Sequence, residues 1–172
     1  ELDEMLGSFL ALADELGDRK KVTPPNLASL MLLVEEDGRT VLLTGDGHPD
    51  DLMEGLDVAG KLRGDGTLHV NVLKILHHGS EFNWHKEFGK RVTANEYIFC
   101  GDGSHENPDP RVVDGVIQSR LGKASVRSKN PEVGNKFRLS FNSSEKLTKE
   151  NNRSHMKKLE KAVAKAASAS GR

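Results

Sequence analysis

Two segments of this chain carry an apolar run into residues that can ligate a metal. Val70-Asn71-Val72-Leu73-Lys74-Ile75-Leu76 runs into His77-His78-Gly79-Ser80, and Thr40-Val41-Leu42-Leu43-Thr44 runs into Gly45-Asp46. Two neighbouring strands that end on a carboxylate and an imidazole can bring both groups to one sheet edge. Carboxylate and imidazole are donors for the borderline divalent ions used in hydrolysis. Taken singly, each motif has a plainer reading. Thr44-Gly45-Asp46 fits a backbone turn, with Gly45 permitting the sharp bend. Adjacent histidines on an extended strand point to opposite sides, so one of His77 and His78 is expected as a ligand and the other as packing or support.

The surrounding periodicities supply the elements that would position these groups. Apolar residues at helical spacing predict a helix over 2–16, followed by a turn at Thr23-Pro24-Pro25-Asn26. Residues 29–35 form a nearly continuous apolar run, expected as a strand buried on both faces. Asp37-Gly38 signals a hairpin leading into a second strand over 40–44. A helix over 49–62, a turn at 64–66 and a strand over 69–76 follow. Residues 81–86 read as a polar loop carrying Phe82 and Trp84, and 95–100 as a strand. A Gly/Asp/Pro-rich loop over 101–110 precedes a helix over 111–121. A short strand is expected at 124–127. Phe137, Leu139 and Phe141 alternate with polar residues over 136–142, the pattern of an edge strand. Helices interleaved with strands indicate a layered α/β arrangement.

The chain has 172 residues, enough for one domain with a substantial core. Its apolar runs are too short to span a membrane, and no export signal is legible, so a cytoplasmic setting with no membrane partner is the expectation. One cysteine, Cys100, excludes an internal disulfide framework and a cysteine-rich zinc site. Charge is uneven. Residues 143–172 hold eight Lys/Arg against three Glu, a net +5, which leaves −6 on residues 1–142 within a whole-chain charge of −1. The domain portion is therefore placed at 1–142. Residues 143–172 read as a basic Ala/Lys-rich tail, a frayed helix or disordered, that either solubilises the protein or contacts nucleic acid.

Together the motifs resemble the metallo-β-lactamase fold hydrolases, in the branch related to the hydrolase domain of bacterial DNA-uptake (competence) channels. Five segments carry the resemblance in order. They are Asn26-Leu27-Ala28-Ser29 before an apolar strand, Leu42-Leu43-Thr44-Gly45-Asp46, and Leu73-Lys74-Ile75-Leu76-His77-His78-Gly79-Ser80. Arg91-Val92-Thr93-Ala94 before Tyr97-Ile98-Phe99 is the fourth, and Gly103-Ser104-His105-Glu106-Asn107-Pro108-Asp109-Pro110 before a helix is the fifth.

The resemblance implies the C-terminal half of an αββα sandwich: one mainly antiparallel mixed sheet with flanking helices. It implies a site with two zinc ions (manganese as an alternative), with Asp46 bridging them and His78 holding one. His77 is the second candidate ligand, and Ser80, Asn83, His105 and Asn107 border the site. It also implies metal-dependent hydrolysis of phosphodiester or related bonds. The family's earlier His-x-His-x-Asp-His motif has no counterpart here, because no histidine precedes Asp46. The chain is therefore expected to be a fragment whose partner is the missing N-terminal half of the domain, and to be inactive by itself. The alternative is a degenerate, non-catalytic module that binds nucleic acid or a protein partner.

Overall fold

A computed structural model describes residues 16–134 and 136–169. The helix expected over 2–16 lies outside the described residues except for Leu16, which is buried. Five strands form one mixed sheet in the order β1 (Leu32–Glu36), β2 (Arg39–Leu43), β3 (Leu68–Lys74), β4 (Val92–Phe99), β5 (Arg138–Phe141). Helices α1 (Pro24–Leu27), α2 (Pro49–Val58), α3 (Lys86–Arg91), α4 (Pro110–Leu121) and α5 (Arg153–Ala169) flank it, joined by short 3-10 turns. The protein is α/β.

The expectation of a mainly antiparallel sheet is corrected. Only β1–β2 is antiparallel; β2–β3, β3–β4 and β4–β5 are parallel. The hairpin is closed by Asp37 and Gly38, both at positive φ, as an inverse turn between antiparallel strands requires. Each later pair is joined through a helix, α2, α3 and α4 in turn. Such a crossover returns the chain in the same direction.

Register separates the two faces, since paired residues point the same way. Leu33, Leu42, Leu73, Tyr97 and Leu139 form one row across all five strands. They pack in the core with Leu52 and Leu56 of α2, Phe88 of α3, and Val112 and Val116 of α4. The adjacent row is Val34, Val41, Val72, Glu96 and Arg138. Of these, Val34 is 48% exposed, as are Leu32 (53%) and Leu43 (42%) beside it.

The 29–35 run is thus not a strand buried on both faces. β1 pairs on one side only, and alternate residues fall on the open face.

Other expectations shift locally. Thr23-Pro24-Pro25-Asn26 is not a plain turn, because Pro24 and Pro25 open the one-turn helix α1, where a proline's missing N–H costs nothing. Residues 124–127 form a turn rather than a strand. Residues 86–91, which gave no periodic signal, form α3, and β4 begins at Val92. In the expected polar loop at 81–86, Trp84 is fully buried and packs edge-on against Phe88 at 5.2 Å. Gly89 and Gly115 admit it into the two helices, since a Cβ there would lie 2.6 or 2.5 Å from its ring.

Within the segment expected as a frayed or disordered tail, residues 153–169 form the helix α5, packed against α4. Met156 and Leu159 of α5 are both 1% exposed.

Candidate metal centre

Parallel strands place their carboxyl ends at one edge, where the loops of α/β sheets converge on ligands. Here β2, β3 and β4 deliver Asp46, His77-His78 and Cys100 to that edge. After β3 the backbone does not stay extended. His77 (φ 42°, ψ 54°) and His78 (φ 57°, ψ 12°) both lie in the left-handed region, followed by Gly79 at φ 86°. Two consecutive non-glycine residues there carry conformational strain, a feature that clusters at functional sites. The turn is tied to the other motif, for the His77 N–H donates to the Gly45 carbonyl at 3.1 Å.

The turn gives the two imidazoles different partners. The His78 Nδ1–H donates to the Cys100 carbonyl at 2.7 Å, and its Nε2 faces Asp46 Oδ1 at 3.7 Å. A carbonyl oxygen can only accept, so Nδ1 carries a proton and Nε2 is the ring nitrogen turned toward the carboxylate. Metal-ligating histidines are commonly oriented this way. His77 is committed elsewhere. Its Nδ1 meets Asn83 Oδ1 at 2.9 Å and its Nε2 meets Asn26 Nδ2 at 3.4 Å. Asn83 is fully buried and donates its amide to the carbonyls of Asp46 (3.1 Å) and Gly47 (2.8 Å). Its Oδ1 therefore accepts from His77, which locks one asparagine to both motif loops. Asp46 is held further by its backbone N–H, which donates to Ser29 Oγ at 3.1 Å.

Lys74 adds a charge that the motif reading did not assign. Its Nζ donates to the Gly45 carbonyl at 2.6 Å and lies 3.7 Å from Asp46 Oδ1. Burial lowers its pKa from the ordinary lysine value, and the Asp46 carboxylate opposes that shift. A lysine interrupting the apolar run at 72–76 was the available signal. Asn26 and Ser29 stood in the first segment of the resemblance, but nothing local to them points at 46 or 77.

The site-bordering expectations divide. Ser80 is buried, and its hydroxyl accepts from the Phe82 N–H at 3.3 Å, capping the next turn. Asn83 joins the centre as above. His105 is exposed in a tight turn at φ 53°. Among the described residues its ring makes no hydrogen bond to Asp46 or His78. The Asn107 carbonyl accepts from the Gly103 N–H at 2.8 Å, closing the same loop. His48, the N-cap of α2, is fully buried. It accepts from the Asp50 N–H at 3.2 Å and meets the Gly17 carbonyl at 3.1 Å.

Zinc–nitrogen and zinc–oxygen bonds of about 2.0–2.2 Å set tetrahedral donors about 3.4 Å apart, close to the observed Asp46–His78 separation. The pair therefore suits one side of an ion. Among the described residues, however, no group of three or more His, Cys, Asp or Glu is placed to hold a metal. A complete shell needs donors beyond those described. No described helix is long and apolar enough to cross a membrane. Comparison of the chain with protein-family models, curated proteins and solved structures gives no match.

Proposed function

We propose that this chain contributes part of the active site of a metal-dependent hydrolase of the metallo-β-lactamase type, acting on phosphodiester or related bonds. The observation that supports this reading is the His78 ring, anchored through Nδ1 with Nε2 turned toward Asp46. Asp46 and His78 would contribute donors to a zinc or manganese ion, with the remaining donors supplied by an N-terminal portion of the domain. When bound, such an ion activates water and stabilises negative charge on the departing oxygen. The chain's own residues set the geometry. Asn83 and Ser29 fix the Asp46 loop, Cys100 fixes the His78 ring, and Lys74 balances the carboxylate.

A second reading, a non-catalytic hydrolase-like module, draws support from the small number of donors and from the Lys74 ammonium beside Asp46. The test compares the 172-residue chain with the same chain preceded by its upstream reading frame. Both are supplied with zinc or manganese, and bound metal and hydrolysis of bis(p-nitrophenyl) phosphate are measured. The hydrolase reading requires tight metal and turnover in the extended protein, with both lost in Asp46→Asn and His78→Gln. An extended protein without turnover supports the binding module.

A further inference from the structure

The loop after β4 links the candidate site to the C-terminal helix. Cys100 anchors His78, and two residues later the Asp102 carbonyl accepts from Thr148 Oγ1 and from Asn152 Nδ2 at 3.4 Å. Asn152 also donates to Ser104 Oγ at 3.1 Å, and His155 Nε2 meets the Pro108 carbonyl at 2.9 Å. Beyond these ties, Met156 and Leu159 insert into the core. The start of α5 is thus fixed against the loop that leaves the site.

What this fixed helix presents outward is a row of cations. Arg153, Lys157, Lys161 and Lys165 recur every four residues and are all exposed. At 100° per residue they spread over an arc of about 120°, centred opposite Met156 and Leu159, with steps of about 6 Å along the axis. Lys158 flanks the row. Glu160 is the one acid on the helix, and its carboxylate accepts from the Glu145 N–H. Lys157 pairs with Glu145 at 3.2 Å. Residues 153–169 thus hold five Lys/Arg against one Glu, a net +4, in a chain whose whole net charge is −1.

We propose that the outer face of α5 binds the phosphate backbone of nucleic acid without regard to sequence. An evenly spaced row of cations suits a polyanion whose charges recur along its length. An anionic membrane fits less well. The large apolar side chains of α5 are already buried in the core, so its outer face has nothing to insert into lipid. The surface does not depend on the hydrolytic reading, because binding is an equilibrium property of the helix.

The test is fluorescence anisotropy of a labelled oligothymidylate of about twenty nucleotides across a salt series, with EDTA present and in an Asp46→Asn background so that turnover cannot interfere. Four single-strand contacts predict a log–log salt slope near −3. In R153Q/K157Q/K161Q/K165Q the affinity falls at least about tenfold and the slope flattens. A charge-matched control, K20Q/K86Q/K123Q/K129Q, keeps both. K157R/K161R/K165R retains binding and guards against a folding artefact, with circular dichroism reporting helix content. No binding by the wild-type chain overturns the proposal, as does equal loss in the charge-matched control or binding to phosphatidylserine vesicles but not to the oligonucleotide.

Discussion

His78 Nε2 stands 3.7 Å from Asp46 Oδ1, while its neighbour His77 is occupied by Asn83 and Asn26. Adjacent histidines thus have separable roles. In the metal-competent protein, His78→Gln is expected to lower divalent-ion retention while leaving the urea midpoint near wild type, because the ring is 45% exposed. His77→Ala is expected to cost about 1–3 kcal/mol of stability, since Asn83 and Asn26 lose a partner. Metal content by mass spectrometry and urea unfolding distinguish the two. Equal effects of the two substitutions on both readouts would contradict the assignment.

Asn83 closes the two motif loops onto each other and has no exposure to water. Asn83→Ala leaves the carbonyls of Asp46 and Gly47 and the His77 ring without that partner. A loss of about 2–4 kcal/mol is expected, at the high end for one polar side chain, because several buried groups are orphaned at once. Asn83→Asp should not rescue it, because a carboxylate cannot donate to two carbonyls. Thermal melts of the three proteins check this.

Docking of α5 is expected to contribute to stability. Truncating a buried Leu or Met to Ala costs about 2–5 kcal/mol, so Met156→Ala and Leu159→Ala should each lower the urea midpoint clearly. Lys158→Ala, on the exposed side, should change it by less than about 0.5 kcal/mol. Unchanged midpoints for both core substitutions would show that the helix does not pack in solution.

His69 provides a pH test remote from the site. Burial lowers its pKa below the ordinary histidine value, and Arg120 adds to the shift while the bond to Asn95 opposes it. The folded state therefore binds this proton less readily than the unfolded chain. The stability it contributes is fully present above about pH 6.5, the unfolded value, and is lost as pH falls from there through the folded pKa. Urea midpoints between pH 7.5 and 5 should fall more steeply for the wild type than for His69→Gln. The His69 ring protons should titrate below the usual range by NMR.

Local patterns were legible in the sequence because they depend on nearby residues. Asp37-Gly38 specified the hairpin turn, and the alternation of Phe137, Leu139 and Phe141 marked the edge strand β5. The apolar runs ending at Asp46 and at His77-His78 marked the strand ends that converge. Pairing direction was not legible, because a strand carries the same period in either direction and the crossovers through α2, α3 and α4 decide it.

Long-range contacts settled the rest. The left-handed turn at 77–78 is tied to Gly45 and gives His78 rather than His77 the position facing Asp46. Lys74 becomes part of the site only when β2 and β3 align. The residues at 143–169 looked like solvated tail because few of them are apolar. Met156 and Leu159 suffice to seat the helix because the loop after β4 offers the Asp102 and Pro108 carbonyls to Thr148, Asn152 and His155. Those acceptors are far away in sequence and adjacent only in the folded chain.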